Sequence, residues 1–98
     1  MAISQAIVGT AAASRYLVQL CKHWSHRFPN TTFTDKRGQV PFAADRICHF
    51  EADPEALTVR LEVGEAEMLE RLECVVDEHL RRFAFREDLG EITWIRGG

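Results

Sequence analysis

Along the second half of the chain, Met68, Leu69, Leu72, Val75, Val76, Leu80 and Phe83 recur at helical spacing. At ~100° per residue they share one broad apolar stripe. His79 falls near the centre of that stripe, so the pattern predicts a buried titratable ring. Burial lowers a histidine's affinity for its proton unless a carboxylate or carbonyl partner compensates. His79 is therefore expected to be either a hydrogen-bonded core residue or part of a site. The predicted helix runs from Glu65 to about Phe85, opening with Glu65, Glu67 and Glu70 and closing with Arg81, Arg82 and Arg86. That polarity complements the helix macrodipole at both ends.

Earlier in the chain, Ile3 to Gly9 is β-branched and apolar and stops at Gly9-Thr10. This predicts a short strand and then a helix N-cap at Thr10 or Ser14. From Ala11 to Phe28 the period changes: Leu17, Leu20, Cys21, Trp24 and Phe28 form the narrow apolar face of an amphipathic helix, which Pro29 and Asn30 end. The middle third alternates as β structure does, in the runs Thr31–Thr34, Val40–Phe42, Ile47–Phe50 and Leu57–Val63. Asp35-Lys36-Arg37-Gly38 and Ala52-Asp53-Pro54-Glu55 supply turns between them. Leu57 to Val63 is the clearest strand, apolar at odd positions and polar at even ones, with one buried face and one wet face. Glu91–Arg96, with Ile92, Trp94 and Ile95, closes the pattern as a final strand.

The order β-α-β-β-β-α-β in so short a chain is best satisfied by an α+β two-layer sandwich. Two helices pack on one face of a largely antiparallel sheet. Pro41 then belongs at an edge or a bulge, where it costs no ladder hydrogen bond. No internal repeat, linker or low-complexity run divides the chain, and its 98 residues are read as one domain, 1–98.

Composition narrows the function classes. Hydrophobic content of 46% and charged content of 28% suit a globular protein. Twelve basic against fifteen acidic residues leave a net charge of −3, which argues against a general role on phosphate backbones and so against nucleic acid. No apolar stretch approaches the ~20 residues of a membrane-spanning helix, and no leader pattern opens the chain; the expectation is a cytoplasmic protein without a membrane partner. Cys21, Cys48 and Cys74 are an odd number in a chain with an adequate core, and are read as reduced thiols.

Candidate chemistry is sparse. Cys21, His23 and His26 look at first like a zinc string, but on a helix Cys21 and His26 project ~140° apart. His23 and His26 lie ~60° apart and could share a metal with a third ligand such as His49. Otherwise His26 is solvated, His23 flanks the core and Cys21 is a small apolar filler. Cys48 is expected to be buried. Cys74 should be exposed among Glu70, Glu73, Asp77 and Glu78, carboxylates that mostly cover the solvated side of the second helix. Gly97-Gly98 reads as a frayed terminus. No catalytic triad, Cys–His pair or phosphate-binding glycine loop can be placed by local spacing. Arg81 to Glu87 interleaves aromatic and guanidinium groups. This is either an anion or acidic-partner patch, or dipole complementation with Phe83 in the stripe and Phe85 packing the exit turn.

Taken as a set, Arg15-Tyr16-Leu17, Leu20-Cys21-Lys22-His23-Trp24, Leu57-Thr58-Val59-Arg60-Leu61, His79-Leu80-x-Arg82-Phe83-Ala84-Phe85-Arg86-Glu87 and Trp94 resemble the small bacterial family catalogued as domain of unknown function 2218. The resemblance spans nearly the whole chain and supports the fold and domain limits, but it supplies no reaction and no catalytic residues. It also implies an accessory role in iron or siderophore handling, because related domains look to be found alongside siderophore-interacting flavoproteins.

Three functions remain open. The first is a non-enzymatic binding or accessory module that recognises a small ligand or a partner such as a siderophore-interacting flavoprotein. Cys21, His23, Trp24, His79, Arg82 and Arg86 would lie near its recognition surface, and two histidines and a thiol would cluster if the helices pack side by side. The second is a metal-binding protein or metal-dependent enzyme using His23, His26, His49 or His79. The third is a structural homodimer.

Overall fold

The computed structural model describes residues 1–97. Six antiparallel strands form one open sheet in the order β2-β3-β4-β5-β1-β6, where β1 is Ala2–Gly9, β2 Thr32–Phe33, β3 Arg37–Ala43, β4 Arg46–Ala52, β5 Ala56–Val63 and β6 Ile95–Gly97. Helices α1, Ala13–Ser25, and α2, Leu69–Phe83, cover one face. The expected two-layer α+β sandwich is the observed architecture, with the two-residue β2 as a strand of its own.

Register decides which side chains meet the helices. Val40, Cys48, Leu61 and Ser4 stand opposite one another across β3, β4, β5 and β1, and all four are buried. With a period of two along each strand, Leu57, Val59 and Val63 join them in the core and Arg60 points to the open face. From α1 the core receives Tyr16, Leu17, Leu20, Cys21 and Trp24; from α2, Leu69, Leu72, Val76 and Leu80. Pro41 sits where a bulge separates it from Ala43, beyond the last β2 partner of β3, so its missing N–H interrupts no ladder.

The boundaries differ from expectation where backbone groups find other partners. Neither Thr10 nor Ser14 is the N-cap of α1. Thr10 Oγ1 accepts from the Ala12 N–H at 3.1 Å, and the Ser14 hydroxyl donates to the Asp35 carbonyl at 2.6 Å. α1 ends at Ser25, before Pro29 is reached, and the Phe28 N–H closes on the Trp24 carbonyl at 2.7 Å. α2 is shorter than Glu65–Phe85, because Ala66–Met68 forms a 3₁₀ turn first. The final strand begins at Ile95 rather than Glu91. Gly97 pairs with Ile3 instead of fraying, while Gly98 lies outside the described residues.

Gly38 is not a turn residue. It lies inside β3 beneath α1, where a Cβ would stand 2.5 Å from Cys21 Sγ. The helix packs this closely because the strand offers no side chain there.

Candidate functional site

α1 and α2 lie side by side, and His23 of the first meets His79 of the second with ring centroids 5.2 Å apart. The spacing that places Trp24 in the α1 core face leaves His23 on its rim, exposed but against Phe83, 5.9 Å away in an edge-on arrangement. Trp24 is buried beneath the pair, 5.0 Å from His79, stacked on Phe50 at 6.2 Å and edge-on to Phe42 at 5.1 Å. An apolar aromatic floor thus supports two imidazoles that solvent reaches.

His79 corrects the expectation of a core histidine. It is half-buried, at the margin of the stripe, and Val76 and Leu80 fill the centre. Its Nδ1 is 2.7 Å from the Val75 carbonyl. A carbonyl only accepts, so Nδ1 carries the proton and the neutral ring presents Nε2 as its free acceptor. His23 is held below the ordinary histidine range, first by partial desolvation and then by the nearby His79, Arg82 and His26. The charged neighbours that shift His23 are thus all basic.

The other candidates separate. Cys21 is fully buried and faces Gly38 rather than the histidines, and burial pushes its thiol up to about 12. Cys48 is buried with its pKa raised, first by burial and then by Cys21, and Cys74 is exposed, each as expected. His26 is exposed at the end of α1. His49 does not supply a third ligand. It stands on the opposite face of the sheet, with Nε2 2.5 Å from a Glu62 carboxylate oxygen. Among the described residues, no group of three or more His, Cys, Asp and Glu side chains is placed to hold a metal.

Arg81 is engaged both within α2, donating to Asp77, and beyond it, donating to the carbonyl of Gly90 in the following loop. Arg82 stays exposed beside His23, and Arg86 lies 5.3 Å over the ring of Phe85. Phe85 does not pack the exit turn: it is 73% exposed.

Sequence reasoning missed one cluster. Glu73, read as part of the solvated face, is buried. The Ser4 hydroxyl donates to it at 2.5 Å, and Arg96 of β6 donates through Nε and Nη2 at 3.0 and 2.8 Å. Arg96 holds the Glu73 carboxyl below the usual carboxylate range, with Ser4 assisting and desolvation opposing. The available signal was Ser4, a polar residue at an inward position of β1 that needed a buried partner.

The sequence profile of a family described as "Uncharacterized protein conserved in bacteria (DUF2218)" matches residues 5–95. The chain is also similar to a solved structure described as the NMR structure of PA4090 from Pseudomonas aeruginosa, at 35% identity and a TM-score of 0.80, covering 97% of this chain and 96% of that one. No curated protein matches.

Proposed function

The chain belongs to the bacterial DUF2218 family, and from that premise we propose a non-enzymatic recognition module that binds a small carboxylate-bearing ligand between its two helices. One observation carries this reading: His23 and His79 meet at 5.2 Å over an aromatic floor with Arg82 alongside. Imidazoles and a guanidinium converging without a carboxylate among the groups that shift His23 favour an anion: His23 and Arg82 can each meet it with an N–H, and His79, whose Nδ1–H is held by the Val75 carbonyl, does so when Nε2 is protonated as well. The same positive charge, together with the missing third ligand, makes a bare divalent cation the poorer fit. The iron-handling role falls within this reading. A ferric chelate bearing carboxylates is an anion of the required kind, and a siderophore-interacting flavoprotein in the cytoplasm is the partner that would deliver or receive it.

The test is an NMR titration of the histidine side chains with citrate on either side of neutral pH. Saturable shifts at His23 and His79 are expected, tighter at the lower pH, because anion binding and protonation of His23 favour one another reciprocally. Arg82→Ala should weaken binding roughly tenfold, as loss of one charged hydrogen bond does. Binding indifferent to both pH and Arg82, or no saturable shift at either histidine, would remove the reading.

A further inference from the structure

The face of the sheet away from the helices carries a second, chemically different arrangement. Because Val40, Cys48, Leu61 and Ser4 point into the core, their strand neighbours point outward, and register aligns five of these. Thr32, Gln39, His49, Arg60 and Gln5 stand opposite one another on β2, β3, β4, β5 and β1. At ~4.8 Å between strands, this is a polar row ~19 Å long running across the sheet. It lies in a groove of about 650 Å³ that also takes in Thr34, Arg37 and Thr58, a volume in the range of small-molecule sites.

We propose that this groove binds a neutral, hydroxyl-rich ligand of the saccharide class, laid along the row from β2 toward β1. The charges on this face are matched within it. Arg37 lies 3.7 Å from Glu51, Arg60 lies 3.7 Å from Glu62, and His49 also contacts Glu62. A face with its charges paired offers little net field to an anion or a cation. What it does offer are directional donors and acceptors: the amides of Gln5 and Gln39, the hydroxyls of Thr32 and Thr58, and the free edge of the Arg60 guanidinium. A planar amide can both donate to and accept from adjacent hydroxyls of one sugar ring, and a guanidinium can donate to two of them; Gln39, Arg60 and Gln5 present such groups along the row. The His23–His79 patch between the helices, by contrast, brings imidazoles together with Arg82, so the two sites select different ligands.

The test is a backbone-amide NMR titration of the full chain with cellobiose, to tens of millimolar, with citrate as the contrasting probe. Cellobiose is expected to produce saturable shifts at Gln5, Gln39, His49 and Arg60 and none at His23 or His79. Gln5→Ala and Gln39→Ala, both at exposed positions, should each weaken binding roughly five- to tenfold while leaving the melting temperature unchanged. Three results would overturn the proposal: no saturable cellobiose shift along the row, cellobiose binding undiminished in the double variant, or citrate rather than cellobiose moving these amides.

Discussion

Replacing Gly38 with Ala adds a single methyl group, and the structure says where it goes. The new Cβ would stand 2.5 Å from Cys21 Sγ, 3.3 Å from Phe33 Cβ and 3.4 Å from a Leu17 methyl. Carbon pairs settle at ~3.5–4.0 Å, so the sulfur is overlapped by ~1 Å while the other two neighbours block sideways escape. Cys21 is fully buried, and Leu17, Leu20 and Trp24 hold α1 against the sheet on either side of it, so the helix cannot tilt away locally. Overpacking of this kind costs ~1–3 kcal/mol, and the immobile surroundings place this case near ~2 kcal/mol. In a chain of 98 residues, that corresponds to a fall in Tm of roughly 8–16 °C. The assay is a double-mutant cycle by thermal or urea unfolding, because Cys21→Ala removes the overlapped atom. Gly38→Ala should cost less than ~1 kcal/mol in the Cys21→Ala background, giving a coupling of at least ~1 kcal/mol. A cost below ~0.5 kcal/mol in the native background, or strict additivity, would refute the close-approach argument.

His79→Leu should destabilise by about 1 kcal/mol through loss of the hydrogen bond to the Val75 carbonyl, whereas His26→Leu, at an exposed helix end, should stay within ~0.5 kcal/mol. Equal effects in parallel urea titrations would contradict the placement of His79. Glu73→Gln should cost ~1–2 kcal/mol at neutral pH, between the values for surface and buried pairs because Arg96 is half-exposed. Since the folded-state pKa of Glu73 is lowered, its contribution is complete above the ordinary carboxylate range and is lost as pH falls through the lowered value. The two proteins should therefore converge in stability in acid, and a difference that persists unchanged there would argue against the ion pair.

Periodicity carried most of the fold. The alternation in Leu57–Val63 and the helical spacing of Leu17, Leu20, Cys21 and Trp24 each identify a buried face without reference to the rest of the chain. What periodicity blurred were positions at the rim of a stripe. His79 and Glu73 flank the same α2 face at similar angular distance, yet Glu73 is buried because Ser4 and Arg96 wait for it on the sheet, while His79 opens onto α1. Such outcomes depend on residues 69 positions away, as for Ser4 and Glu73, and no local window contains them. Gly38 was misread for the same reason: its neighbours Asp35 and Lys36 suggest a turn, and the sulfur that requires a glycine comes from another element. The meeting of His23 and His79 required the helix pairing, but each histidine was already conspicuous on its own helix.

The position of β1 in the sheet has a consequence for how the chain is made. β3, β4 and β5 are joined by short connections and can zip as consecutive hairpins, but β1 pairs only with β5 and β6. Its partner residues on β5, Ala56 to Val63, follow it by about fifty positions, and closing so long a loop costs entropy before any ladder bond offsets it. On the ribosome, β1 emerges before both strands that pair with it and thus has neither of its edges covered until the meander has been synthesised and folded. Ile3, Ile7 and Val8 pass that interval as an unpaired apolar segment. The finished sheet is sealed from its far end, when β6 arrives and Arg96 engages Glu73.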